Sequence, residues 1–406
     1  MRRLPTAGVL ALALAAPASP ARAQVAVHAD LLHTMTGPAI PNGVVLVGKD
    51  GKIERVGPAA DVRVPEGYRQ LRARVATPGL VDAHSVVGLA GQANQPHDQM
   101  QVETSAPMQP ELRAIDAYNA RDPLVAWLRQ HGVTTLHTGH APAALVSGQT
   151  MIVKTRGDEV DEAVVTPVAM IAVTLGQDGL AGEGKSPGTR AKAVALLRGD
   201  LIKAQRYMRD SAGPEDKRPA QDLHLDALGR VLKKELPLLV TAHRVTDVAA
   251  ALRVAKEFDI RIVLDGASEA YLLTGAIKAA GVPVILHPTM ARAGEDAENM
   301  SMETGATLRK AAIPFALQSG YESYVPKTRV VLFEAALAAA RGLTPGEALA
   351  AITIDAARIL GVDRRVGSLE PGKDGDIALF DGDPFEYTTH VTGVVIEGQV
   401  VSDTVR

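Results

Sequence analysis

Short apolar runs alternate with longer stretches of helical periodicity through the middle of this 406-residue chain. Eight runs of four to six residues predict strands at 79–84, 133–137, 151–154, 168–173, 237–241, 260–264, 282–287 and 313–317. Helical spacing predicts helices at 122–131, 192–209, 245–258, 268–280, 303–311, 327–341 and 345–360. Short buried strands that alternate with helices are typical of parallel βα units. Because a closed barrel needs eight strands, we predict an α/β fold, a TIM-type (β/α)8 barrel.

The two ends of the chain have the pattern of antiparallel strands instead. Apolar runs at 43–47 and 52–56 flank Asp50-Gly51, a strong hairpin signal because Gly adopts the positive φ that such turns need. Further runs near the other end, at 377–380 and 393–396, also predict strands. We therefore predict a small β-sandwich formed by the N- and C-terminal segments, 24–75 and 359–406, with the barrel occupying 76–358.

The first residues have the pattern of an export signal. Two arginines at 2–3 precede an apolar run at 7–16, and Ala-Arg-Ala at 21–23 resembles a small-x-small cleavage site. We predict a signal peptide at 1–23, cleavage before Gln24 and a periplasmic or secreted mature protein. The apolar run is too short to cross a bilayer, and no later run of ~18 uncharged apolar residues follows, so we predict no membrane span.

Composition narrows the range of partners. Apolar residues make up 46% of the chain, which is ample for a large core. The formal net charge is −3 and no long basic run occurs, so we expect a small-molecule partner and no nucleic acid. The absence of cysteine excludes disulfides and thiolate ligands, so any metal ligand must be His, Asp, Glu or a modified Lys. Whether the chain forms a homo-oligomer stays open.

The stretch 75–90, VATPGLVDAHSVVGLA, brings Asp82 and His84 to the end of the first predicted barrel strand, and strand ends of this kind face the reaction cavity. It resembles the first-strand signature of the amidohydrolase superfamily, PG-apolar-(V/I)-D-x-H-x-H, with His84 at the first histidine and Val86 at the second. The segment 367–376, GSLEPGKDGD, resembles the superfamily's G-S-(L/I)-x-P-G-K-x-A-D signature. The resemblance is to the imidazolonepropionase-like, metal-dependent hydrolase branch, with a degenerate metal-binding motif.

This resemblance implies a divalent metal that lowers the pKa of a bound water and polarises the scissile carbonyl. Family members typically take ligands from the H-x-H of strand one, a Lys or Glu on strand four, a His on strands five and six, and an Asp on strand eight. Here His84 and His243 match strands one and five. Strands four, six and eight end in 172–177, 264–269 and 317–322, which lack the expected ligand at the matching position.

Substitute ligands could complete a metal site. Asp265 follows strand six and His287 ends strand seven, and with His84 and His243 they would give four N and O ligands, a set that suits zinc. Lys154, at the end of strand three, is a further substitute. The alternative is that these polar residues are hydrogen-bonded to one another and line a metal-free cavity.

Polar residues at the same predicted mouth are the catalytic candidates. We predict catalytic roles for His243, His84 and Asp265, with either histidine acting as general base for water in a metal-free reaction. Asp82 could fix the tautomer of His84. A further set of residues is predicted to contact the substrate: His137, His140, Gln149, Gln318, Tyr321 and Glu322.

The resemblance implies an amidohydrolase-like enzyme, and the signal pattern implies that it is exported. It would hydrolyse a non-peptide C–N bond, in a cyclic amide, an amidine or an N-acyl group, by means of an activated water. Because fold alone does not fix function, a second hypothesis stays open. In that hypothesis the chain is a catalytically inactive binding protein of the amidohydrolase fold that has lost its metal site.

Overall fold

The computed structural model describes residues 24–93, 95–321 and 330–406, so the predicted signal peptide lies outside the described residues. Its strands in chain order are β1 Val25–Leu32, β2 Ile40–Val47, β3 Ile53–Pro58, β4 Arg69–Pro78, β5 Leu80–Ser85, β6 Val133–Thr138, β7 Val146–Gln149, β8 Met151–Lys154, β9 Val164–Thr166, β10 Ile171–Thr174, β11 Leu238–Ala242, β12 Ile262–Gly266, β13 Val284–Leu286, β14 Phe315–Leu317, β15 Ile377–Phe380, β16 Val391–Ile396 and β17 Gln399–Ser402. Its α-helices are α1 Pro123–Gln130, α2 Val160–Ala163, α3 Arg190–Ser211, α4 Leu223–Leu232, α5 Val245–Phe258, α6 Thr274–Ala280, α7 Thr304–Lys310, α8 Val331–Ala340, α9 Pro345–Ala351 and α10 Ile354–Ile359.

Strands from both ends of the chain form one seven-stranded sheet in the order β17-β16-β15-β4-β1-β2-β3. The predicted hairpin is confirmed, since β2 and β3 pair antiparallel and Gly51 in the turn has a φ of 80°. The predicted two-sheet sandwich is not what the hydrogen bonding shows. Strand β4 pairs with β1 along one edge and with β15 along the other, which joins the N- and C-terminal strands edge to edge in one sheet.

The central strands form two sheets. Strands β10 to β14 are parallel neighbours and, with β7, make a six-stranded sheet, while β5, β6, β8 and β9 make a four-stranded sheet. A single parallel bridge between Ser85 and Gly320 joins β5 to the segment that follows β14. The prediction of one closed eight-stranded parallel barrel therefore needs correction. All eight predicted strand positions are extended, but the described strands do not make one continuous sheet.

The third predicted barrel strand is the reason for this difference. Residues 146–154 form the consecutive strands β7 and β8, which meet at Thr150. Strand β7 pairs antiparallel with β10, and β8 pairs antiparallel with β6. The segment thus runs opposite to both neighbours and splits the ladder between them.

The reversed direction of β8 places Lys154 at the terminal sheet. Its ammonium group, 1% exposed, forms an ion pair with Asp374 at 3.0 Å and a second with Asp376. The interpretation of Lys154 as a substitute metal ligand is therefore wrong. Strand β8 runs antiparallel to β6, so its carboxyl end lies at the opposite edge from the carboxyl ends that carry the site.

Side chains from six strands meet in an interior layer. The layer contains Val81, Ala83, Ile152, Leu239, Val263, Ile285 and Ala316, with Ala356 and Ala357 of α10 packed against it. Because side chains alternate between the two faces of a strand, the residue two positions beyond each member points in the same direction. This rule decides which polar groups meet above the layer.

Most helices lie where the helical spacing predicts them, although the predicted helix 345–360 is divided into α9 and α10. Helix α9 begins at a capping box. The Thr344 hydroxyl accepts from the Glu347 amide, and the Glu347 carboxylate accepts from the Thr344 amide. The apolar pattern did not predict α4. Within the described ranges, no helix combines the length and apolar character that a membrane crossing requires.

Candidate active site

Among the polar residues two positions beyond the interior layer, Thr241, Asp265 and Gln318 are joined by hydrogen bonds. Their side chains therefore point into the interior directly above the apolar layer, at the carboxyl ends of β11, β12 and β14. His84 joins them from β5, where the pairing with β6 shifts register between Asp82 and Ser85. The strand alternation and this one shift together bring four polar side chains to one place.

Asp265 is the centre of this group. One carboxylate oxygen, Oδ1, accepts from His84 Nδ1 at 2.9 Å and from Gln318 Nε2 at 2.9 Å. The other, Oδ2, accepts from the Thr241 hydroxyl at 2.7 Å. Because the carboxylate can only accept, His84 Nδ1 carries the proton and the remaining ring nitrogen, Nε2, presents a lone pair. That nitrogen is buried and has no hydrogen-bond partner among the described residues.

The same contact sets the charge of the pair. Burial alone would lower the pKa of His84, but the neighbouring carboxylate of Asp265 outweighs it and raises that pKa above 6.5. Burial alone would raise the pKa of Asp265, but the positive charge of His84 and its hydrogen bonds lower it below 3.8. The pair therefore favours an imidazolium next to a carboxylate at low pH and a neutral, oriented imidazole at higher pH.

The sequence suggested that Asp82 fixes the tautomer of His84. In the structure Asp82 lies two residues before His84 but does not contact its ring nitrogens. Its Oδ1 accepts from the Ser319 amide at 3.0 Å and from the His84 amide, rather than the His84 ring, at 3.4 Å. Burial raises the pKa of Asp82 to about 7. Asp265 takes the orienting role that the sequence gave to Asp82.

Two cavities meet at this site. The smaller one, of about 70 Å³, is lined by residues that include His84, Thr241, His243, Asp265, Gln318 and Tyr321. It has room for a few water molecules. The larger one, of about 380 Å³, shares His243, Pro288 and Tyr321 with the first. This larger volume is of the size that small-molecule sites have.

His243 lies between the two cavities and is positioned by its neighbours. Its Nδ1 hydrogen-bonds with the Ser268 hydroxyl at 2.7 Å. Gly266 has a φ of 72°, and a Cβ there would lie 2.6 Å from His243 Cε1. Only glycine therefore allows the imidazole to lie against this backbone.

His287 borders the larger cavity. Its Nδ1 faces the carbonyl oxygen of Pro288 at 3.1 Å and must donate to it, which leaves Nε2 as an acceptor. Nε2 is buried and has no partner within the described ranges. Burial is the main reason that the pKa of His287 falls to about 4, so its ring is neutral near pH 7.

The predicted four-ligand zinc site is not assembled. In the described part of the chain, no group of three or more His, Asp or Glu side chains is placed to hold a metal ion. The reason is visible at Asp265, since three donors occupy its carboxylate and one of them is the ring of His84. Val86 packs in an apolar cluster with Ala90 and Ala141. The residues present do not fit a bound metal.

The residues predicted to contact substrate divide into two groups. Gln318 and Tyr321 line the small cavity. His137 does not, because one ring nitrogen bonds the Ala83 carbonyl at 2.6 Å and the other the Thr150 hydroxyl at 2.7 Å, and burial lowers its pKa to about 3.

Gln149 and His140 are likewise absent from the described lining of both cavities. The Gln149 amide donates to the Pro110 carbonyl at 2.9 Å. His140 is buried beside Gly148, and burial lowers its pKa. Glu322 lies outside the described residues.

The sequence analysis did not predict two hydrogen-bond partners of the catalytic candidates or two carboxylates at the larger cavity. Thr241 and Ser268 hold the catalytic candidates Asp265 and His243, and their positions just before or after strand ends were the available signal. Asp178 and Glu295 lie in single 3-10 helical turns at the larger cavity, which are too short to give a periodic pattern.

A mixed α/β fold with polar groups gathered at the carboxyl ends of parallel strands is typical of barrel-type hydrolases. Residues 318–401 match the model of the amidohydrolase family. Over 89% of its length the chain is 25% identical to the amidohydrolase tasK of Hapsidospora irregularis, of which it spans 40%. A 52-residue segment is 46% identical to the imidazolonepropionase of Geobacillus thermodenitrificans, covering 13% of this chain and 12% of that one.

Among solved structures, an amidohydrolase from Thermotoga maritima MSB8 superposes with a TM-score of 0.87 at 28% identity. It covers 94% of this chain and 100% of its own. The matched segments span less than half the length of both curated relatives. These matches support the resemblance to the amidohydrolase superfamily that the first-strand and tail motifs predicted.

Proposed function

We propose that this protein hydrolyses a non-peptide C–N bond of a small molecule, with His84 and Asp265 as the base that activates water. The observation that carries this proposal is the free Nε2 of a histidine whose other nitrogen is fixed by a carboxylate, in a cavity of water size. This arrangement meets the two requirements of a general base, an oriented lone pair and a place for the water. The names of the relatives favour an amide or cyclic amide as the substrate class.

The proposed reaction balances with the residues of this chain. His84 Nε2 takes a proton from water while the water oxygen bonds to the carbonyl or amidine carbon. Asp265 stabilises the imidazolium that forms. The Tyr321 hydroxyl, at the same cavity, is the candidate donor to the developing oxyanion. The C–N bond then breaks as His84 returns its proton to the leaving amine.

A second function is favoured by a specific observation. Asp265 is fully hydrogen-bonded and the small cavity is narrow, which is also what a binding protein with a relict site would retain. Such a protein would bind the same small molecules without turnover. The experiment below separates the two functions.

We further propose, on the pattern of residues 1–23, that the protein acts in the periplasm or outside the cell. Cell fractionation and N-terminal sequencing test this. A mature N-terminus at Gln24 is the expected result, and a full-length protein in the cytoplasm would contradict it.

The function is tested with His84→Gln, assayed for amine release from a panel of cyclic amides, amidines and N-acyl amines. We expect kcat to fall about 10²–10⁴-fold, the range that general bases contribute. His390→Gln is the matched control, because His390 is exposed and pairs only with Asp381 in the described structure, and it should leave kcat unchanged.

Two outcomes would contradict the proposal. Full activity in His84→Gln would assign the base to another residue. Binding of panel compounds by the unmodified protein without any amine release would favour the binding protein.

A further inference from the structure

The larger cavity carries an excess of negative charge. Asp178, Glu295 and Asp296 line it, against a single arginine, Arg292. Asp296 is compensated by Arg190 and Arg244 on the protein side. Asp178 and Glu295 have no ion pair of this kind within the described residues.

The carboxylates act on one another. Burial is the first cause that raises the pKa of Asp178; His243 acts to lower it, and the negative charges of Glu295 and Asp296 act to raise it. Two negative charges that act on Asp178 therefore lie at the same cavity, where Arg292 is the one arginine in the described lining. A bound cation would remove that repulsion.

An independent observation points to a ligand at the same cavity. His287 is 2% exposed, lines the cavity and keeps a buried Nε2 without a partner in the described part of the chain. Its other nitrogen faces a carbonyl oxygen, so Nε2 can only accept. Leaving such an acceptor unsatisfied costs free energy, which a donor on the ligand would recover.

We propose that the larger cavity binds a protonated nitrogen group of the substrate, a primary ammonium, amidinium or guanidinium. These groups combine positive charge for Asp178 and Glu295 with N–H donors for His287 Nε2. The inference rests on the proposed function, because His243 and Tyr321 join this cavity to the one that holds His84. The substrate is then a cationic amide or amidine. Its charged end lies in the larger cavity, and the bond that breaks lies in the smaller cavity, with His243 between them. An organic cation fits better than a metal ion, since the described residues offer no three-ligand group here.

The test uses N-acetylcadaverine and its neutral isostere N-hexylacetamide, in which a methyl group replaces the ammonium. Binding of each to the full protein is measured by calorimetry. We expect the cation to bind about tenfold more tightly, and the preference to shrink as salt is raised. Asp178→Asn with Glu295→Gln should abolish the preference. Asp216→Asn, an exposed carboxylate away from both cavities, should retain it.

The histidine is tested with two substitutions. His287→Gln keeps an acceptor and should hold most of the cation affinity, whereas His287→Leu should lose it at an unchanged melting temperature. Equal affinity of the two ligands for the unmodified protein, no binding of either, or a preference that survives the double substitution would each overturn the cation site.

Acetate release from the same two compounds separates this inference from the proposed function. Preferential cation binding without acetate release supports the cation site, and if the amide panel also yields no amine it contradicts the hydrolase. Release from both compounds at equal kcat/KM, with equal affinity, overturns the cation site and leaves the hydrolase standing.

Discussion

At the scale of single residues, Asp265 decides the chemistry of the site. The sequence placed it beside His84 and His243 at the mouth, and that proximity could be predicted from strand ends. The sequence could not show that the carboxylate of Asp265 accepts a hydrogen bond from the ring of His84 instead of binding a metal, because residue spacing does not determine side-chain distances. The consequence is an oriented base whose protonation depends on one neighbouring charge.

The pH dependence of the activity follows from this contact. A raised pKa means that His84 stays protonated, and inactive as a base, to a pH above 6.5. We therefore expect kcat/KM to fall as pH decreases, with its midpoint above 6.5. Asp265→Asn should move the midpoint to lower pH and also reduce the plateau, because the carboxylate no longer favours the imidazolium.

A pH–rate profile of both proteins checks this. Asp82 and His137 also face the ring, so the informative quantity is the shift between the two profiles. An identical midpoint in Asp265→Asn would show that another group controls the fall of kcat/KM at low pH.

His287 gives a prediction about stability at the same scale. Its folded-state pKa of about 4 lies below the unfolded value of 6.5, so the unfolded chain binds the proton first as pH falls. Protonation of His287 in the unfolded chain should therefore lower the free energy of unfolding by up to about 3 kcal/mol as the pH falls from 6.5 to 4. His287→Gln should reduce the pH slope of unfolding, measured with denaturant, whereas His390→Gln should not.

At the scale of elements, apolar runs predicted where the strands lie but not which way each one runs. The segment 146–154 shows why. A short buried run has the same pattern whether its neighbours are parallel or antiparallel, and only the paired hydrogen bonds distinguish them. The direction of β8 sends Lys154 to Asp374 and Asp376 and away from the site.

Lys154→Met tests this placement. Removing the ammonium leaves the buried carboxylate of Asp376 without its cation, whereas Asp374 keeps Lys52 and Arg365. This loss should destabilise the protein by about 3–5 kcal/mol. Lys203→Met is the matched control, since Lys203 is 69% exposed and pairs with Asp200 at 2.7 Å. Surface pairs of that kind contribute about 0–1 kcal/mol.

Denaturant unfolding of both variants provides the measurement. A loss in Lys154→Met as small as that in Lys203→Met would mean that Lys154 does not hold the central strands to the terminal sheet.

At the scale of the whole molecule, strands from the two ends of the chain pair in one sheet. Strand β4 pairs with strands from both ends and continues almost directly into β5, whose His84 is part of the site. The first-strand and tail motifs predicted this family, because glycine turns and strand-end residues are local features. Whether the site works without metal is a property of the assembled fold, which sequence motifs alone cannot decide.

Metal-free hydrolysis is tested most directly by amine release from the amide panel, using protein dialysed against a chelator and measuring residual metal. If His84 is the base, activity should survive dialysis and fall about 10²–10⁴-fold in His84→Gln. Loss of activity on dialysis, with recovery on adding zinc, would contradict metal-free hydrolysis.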